Sequence, residues 1–173
     1  QLVQDCLSGL PFSIPQIQPG TEDQAAGSPP LLPYASVGEI AAHRRLDDGR
    51  FNILVQPLAR IQLLQELSGD TLYRVAEAQV LEDIPTDSGL LSRMGNQARG
   101  LFIGLIPASG QASVAQGLAQ VPADRVPDLI SGSLLNDQEK QVFLAENNPM
   151  ERAHMVYQRL IERRAEQLQA AES

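Results

Sequence analysis

The chain is short of the residues on which most enzyme chemistry rests. Cys6 is its only cysteine, so no internal disulfide and no cysteine-based zinc cluster can form, and nothing points to an oxidising compartment. Its two histidines, His43 and His154, lack any HxH, HExxH or histidine–carboxylate spacing, which leaves metal binding without a signature. Neither a phosphate-cradling G-x-x-x-x-G-K-[ST] loop, a dinucleotide fingerprint nor a G-x-S-x-G elbow is present, so the reading carries no cofactor and no enzyme activity. Basic charge is scarce as well. Thirteen Lys and Arg face 21 Asp and Glu, a net charge of -8, and neither half is basic, which weighs against nucleic-acid binding. Lys140 is the sole lysine, so nearly all positive charge sits on guanidinium groups with fixed fork geometry. No apolar run approaches the ~18 residues of a membrane span and no secretory signal is visible, so the expected setting is cytoplasmic, without membrane contact.

What is present is enough to fold. With 173 residues and 43% hydrophobic content the chain can form one domain or two apposed subdomains around a real core. The organising stretch is Ser36 to Leu64. Asp48-Gly49 is a turn signal, and Phe51, Ile53 and Val55 follow at period two, a hairpin with one buried face. Further extended runs are expected over Arg60 to Glu66 and Tyr73 to Leu81, the latter apolar on both sides as in the interior of a barrel. Ahead of the hairpin, Gln1 to Leu7 reads as the end of a helix with Gly9 as its cap, and we expect native sequence upstream of it. Leu10 to Gln18, interrupted by Pro11 and Pro15, reads as an edge strand, and Pro19 to Pro33 as a linker.

Composition shifts at Ile84-Pro85, and the rest reads as helical. Thr86 or Asp87 caps a helix carrying Leu90, Leu91, Met94, Ala98, Leu101, Phe102 and Leu105, weakened by Gly95, Gly100 and Gly104 unless they permit close packing. Ser109 to Gln120 reads as a polar connection. A short helix from Pro122 offers Val126, Leu129, Ile130 and Leu134. Asn136 with Glu139 forms a capping-box pattern before Val142, Phe143 and Leu144, and Asn148-Pro149 opens a last helix that emerges into solvent beyond Ile161.

Candidate binding residues cluster by sequence in the hairpin. Arg60, after Pro57-Leu58-Ala59 and between two expected strands, can pin a bend by bonding carbonyls or a carboxylate, or can face a ligand. Pro57, Arg50 and His43 complete the set, while Asp47-Asp48 serves the turn and Cys6 is read as a buried, inert thiol.

Taken in order, Ser36-Val37-Gly38-Glu39-Ile40-Ala41, Leu46-Asp47-Asp48-Gly49-Arg50-Phe51, Ile53-Leu54-Val55, Leu58-Ala59-Arg60-Ile61 and Tyr73 to Val80 resemble the substrate-recognising N-terminal domain of the Lon protease family. Val126 to Gly132, Glu139 to Leu144 and Met150-Glu151-Arg152 resemble its helical half. The resemblance implies an α+β fold, a β-rich PUA-like pseudobarrel over residues 1–85 followed by a helical bundle over 86–173. It further implies a stand-alone bacterial recognition module without ATPase or protease parts. Its expected partners are exposed polypeptide segments, or alternatively one specific folded protein as an adaptor. Pro57 stands where the family usually has glycine, and the family's apolar, proline-rich opening segment is absent.

Overall fold

The computed structural model describes residues 1–21 and 28–171. By its internal contacts the chain divides into two compact units, Gln1–Glu82 and Asp83–Ser173. The first holds a short helix and all the strands, the second the remaining helices, so the architecture is α+β as expected.

Helix α1 (Leu2–Cys6) buries Cys6 and ends before Gly9, whose φ of +95° reverses the chain. Strand β1 (Phe12–Ser13) is a two-residue edge, and β2 (Tyr34–Arg45) and β3 (Phe51–Leu67) form the long hairpin. Its turn is closed by Asp48, whose carboxylate accepts the Arg50 backbone N–H at 3.0 Å, and by Gly49 at φ +85°. Strand β4 (Val75–Leu81) completes an antiparallel sheet of order β1-β2-β3-β4. Of the linker, residues 22–27 lie outside the described set. The flanking ends are drawn together by an Ile17–Leu31 bridge and by Gln18 N–H donating to the Pro30 carbonyl at 2.8 Å.

Two sequence expectations for the sheet fail. Arg60 does not stand between two strands, because β3 runs unbroken through Pro57. Proline is tolerated there since β3 gains its β4 neighbour only at Arg60, paired with Leu81, so the missing N–H disrupts no ladder on that side. Nor is β4 an interior strand; among the described residues it is one of the two outer strands of the sheet, and residues 77 to 80 are all exposed.

In the second unit, Asp87 caps α2 (Ser88–Leu105), accepting N–H groups of Gly89 and Leu90 at 2.8 and 3.0 Å. Residues expected to form a connection instead form α3 (Ala108–Ala119); only Leu118 of it is buried, so no apolar period announces it. A single 3-10 turn (Ala123–Arg125) leads into α4 (Val126–Leu134) with Pro127 in its first turn. The Asn136–Glu139 capping box opens α5 (Asp137–Ala145), and Asn148 accepts the Met150 N–H at 3.0 Å at the start of α6 (Pro149–Ala171). Ala98, Leu118, Val126, Ile130, Leu134, Phe143, Val156 and Leu160 make the core. Leu129 and Val142, expected on apolar faces, are exposed.

Candidate functional site on the central strand

The two units differ in how they treat apolar side chains. Among the described residues the helical unit buries ten hydrophobic side chains, whereas the sheet unit buries Cys6, Ala35 and Ile61. Large apolar residues of the sheet unit stand at the surface instead, and β3 carries Leu54, Val55, Leu58, Leu64 and Leu67 among them. Isolated exposed leucines are ordinary; a row of them along one central strand is not.

The backbone explains why they turn outward. The pairing of β3 with β2 steps from Gly38–Pro57 to Val37–Ala59, leaving Leu58 as an extra residue. Its pairing with β4 steps from Leu63–Ala78 to Gln65–Glu77, leaving Leu64 extra. Both are bulges, which bend a strand and re-aim the unpaired side chain, and both place a leucine about half exposed, at 52% and 53%. Leu54, at 64%, lies opposite Ala42 next to a third bulge, in which Ala41 is the extra residue of β2. Gly38 is required at the first bulge: a Cβ there would sit 2.7 Å from the Gln56 carbonyl oxygen.

The four residues singled out in the sequence fall into two groups. Pro57 and Arg60 flank the Leu58 bulge in mid-strand. Arg60 is half-buried, lies opposite Ser36 and Leu81, and has an interaction within the protein. His43 and Arg50 belong to the far end of the hairpin. His43, opposite Ile53, rests its ring 6.2 Å from that of Phe51, and Arg50 pairs with Asp48 at 2.6 Å. The Arg50 side chain holds the Asp48 carboxyl below its usual range, an interaction that closes the turn. Seven residues of extended chain separate Ile53 from Arg60, about 23 Å, so the two groups do not form one site.

Burial, with the neighbouring Asp5 charge, raises the Cys6 thiol above its usual range and so disfavours the thiolate. His154 is exposed and faces only Gln158, at 3.4 Å. Among the described residues no group of three His, Cys, Asp or Glu could hold a metal ion, and no helix is long and apolar enough to cross a membrane.

The most heavily bonded polar group went unnoticed in the sequence. Arg152, 2% exposed, donates to Asp83 at 2.8 and 3.1 Å, to Asp128 at 3.1 and 3.4 Å and to the Glu146 carbonyl at 3.0 Å, with the Phe143 ring 5.8 Å away. Burial alone would lower its pKa, and the two carboxylates outweigh that, so the guanidinium stays charged. Its partners come from residues far apart in sequence, and no local spacing could have revealed them. The cluster is fully engaged and fixes α4, α5 and α6 to the segment that enters the helical unit.

Residues 2–162 match the family model described as the ATP-dependent protease La (LON) substrate-binding domain. The N-terminal domain of the Mycobacterium avium complex Lon protease superposes with a TM-score of 0.58 at 12% identity, over 87% of this chain and 88% of that one. A Lon N-terminal domain protein from Xanthomonas campestris gives 0.54 at 17% identity, over 90% and 79%. No curated protein matches the sequence.

Proposed function

Since this chain belongs to the LON substrate-binding domain family, we propose that it is a non-catalytic recognition module that captures exposed apolar segments of other polypeptides. The observation that supports this reading is the exposed leucine row on β3, two members of which are turned outward by bulges. Leu58 and Leu64 are about half exposed, so burying either against a partner contributes about 1–1.5 kcal/mol, roughly half the value for a fully exposed leucine. Pro57 stiffens the strand beside Leu58, and Arg60 flanks the same bulge on its other side. Arg50 and His43, about 23 Å along the hairpin, form a separate polar surface reached only by a ligand long enough to span that distance. A net charge of -8 disfavours nucleic acid as the ligand, and a cytoplasmic setting belongs to the same reading.

The test is an amide NMR titration of the full chain with a permanently unfolded, apolar-rich polypeptide. Saturable shifts are expected along 54–67, and each of Leu58→Ser and Leu64→Ser should weaken binding about tenfold. A flat response from a well-folded sample would reject the reading. Shifts confined to the helical unit would reject the site while leaving polypeptide recognition intact.

A further inference from the structure

An outer strand of the sheet, β4, carries a self-complementary register. From Arg74 to Glu82 the chain reads R-V-A-E-A-Q-V-L-E. Strand β4 pairs only with β3 among the described residues, and a strand paired on one side turns alternate N–H and C=O groups outward. Protein edges are ordinarily blunted by proline, lysine or a bulge. Between Val75 and Leu81 there is neither proline nor lysine, the one charged side chain, Glu77, accepts from Gln65 of β3 at 3.3 Å, and the β3–β4 register shift inserts its extra residue in β3. Residues 77 to 80 are exposed in succession, so both faces of this strand stand open as well as its edge.

We propose that β4 is a two-fold interface through which two copies of this chain pair, antiparallel and centred on Ala78. In that register Glu77 of one copy opposes Gln79 of the other, Ala76 opposes Val80, Val75 opposes Leu81, and Arg74 opposes Glu82. Polar meets polar and apolar meets apolar, each pair occurring twice, while at the ends Glu82 faces Arg74, which already bonds Glu66 and the Pro29 carbonyl of its own copy. Opposed pairs of this kind stabilise an antiparallel ladder, while like charges directly opposite destabilise it. Neighbouring registers lose the match. Centring on Glu77 sets two carboxylates face to face, and centring on Gln79 sets Glu77 against Leu81. A polypeptide ligand would need no such symmetry in the strand; a second copy does. That symmetry assigns the edge.

The test is sedimentation velocity of the full chain from low to high micromolar concentration, followed by oxidation of single-cysteine variants. Across the axis, Ala78→Cys brings two thiols into directly opposed positions, with Cα atoms about 4.5–5.5 Å apart, within disulfide range. Leu81→Cys lies six residues from its own copy, about 20 Å away, and cannot bridge to itself. We expect a concentration-dependent dimer in which Ala78→Cys cross-links, Leu81→Cys alone does not, and Leu81→Cys mixed with Val75→Cys does. The wild-type chain, whose Cys6 is buried, is the control. A monomer at every concentration overturns the proposal, and so does a dimer with any other cross-linking pattern. Amides of β4 that are protected from exchange in a monomer would show that a different strand occupies the edge, which overturns it equally.

Discussion

Arg152 shows how much one residue can hold and how little of that is legible in sequence. It is buried with every donor committed, and its carboxylate partners Asp83 and Asp128 are about one-third exposed, at 36% and 35%. Removing the guanidinium strands two carboxylates that remain partly hydrated, so the cost falls at the lower end for breaking a buried pair. Arg152→Ala is expected to lose about 3 kcal/mol in urea unfolding, and Arg152→Lys should recover only part of it, because an ammonium keeps the charge but not the fork. A surface pair behaves differently. Arg74 bonds Glu66 and also reaches the Pro29 carbonyl at 2.7 Å, and its guanidinium holds the Glu66 carboxyl below the usual 4.5. A carboxyl with a depressed folded-state pKa contributes stability above its unfolded value and loses it as pH falls through the folded one. Wild type should therefore exceed Glu66→Gln by no more than about 1 kcal/mol at neutral pH, the difference vanishing as the pH drops well below 4.5. Urea midpoints stepped across that range measure it.

Helix α2 carries four glycines, and the three inside it, Gly95, Gly100 and Gly104, look alike in the sequence and are not alike in the fold. A Cβ on Gly95 would lie 1.7 Å from the Ala123 carbonyl oxygen, whereas one on Gly100 meets nothing within 4 Å. Backbone cannot yield as a side-chain tip can, so Gly95→Ala must push the 3-10 turn away and should cost about 3 kcal/mol. At Gly100 the same change removes only the helical penalty of glycine and should gain about 1 kcal/mol. Thermal unfolding of the two variants should move in opposite directions. Close packing through glycine was legible as an option; which glycine took it depended on a contact some 28 residues away, counted from Gly95 to Ala123. Elements with strong local chemistry were read correctly, including the Asp48-Gly49 hairpin and the Asn136–Glu139 box. Helix α3 was missed because Ala, Ser, Gly and Gln give it no apolar period, and its single buried residue, Leu118, leaves the helix to be imposed by packing. The continuity of β3 was missed for the converse reason: Pro57 is a breaker by local rules, and only the absence of a β4 neighbour at that point makes it harmless.

At the level of the whole molecule, apolar burial is divided unequally, and function and stability should follow that division. The helical unit has Val126, Val156 and Leu160 wholly buried, while the sheet unit keeps few side chains from water and spends its leucines on the surface. Local opening free energies track buried apolar contact, so amides of β3 and β4 should exchange well before those of α4 and α6. The sequence foreshadowed this only in outline, since period-two patterning marks which faces can be apolar but not whether anything covers them. If the exposed leucine row is a recognition surface, its occupation must change that order. A ligand that binds only the folded sheet adds RT ln(1 + [L]/Kd), about 2.7 kcal/mol at a hundredfold excess over Kd. Native-state hydrogen exchange with and without a saturating unfolded polypeptide should therefore slow the sheet amides roughly a hundredfold and leave the α6 core amides unchanged, provided those open independently of the sheet. Equal slowing in both units would mean that they open together. Slowing in neither would mean that the leucines on β3 are not where polypeptide binds.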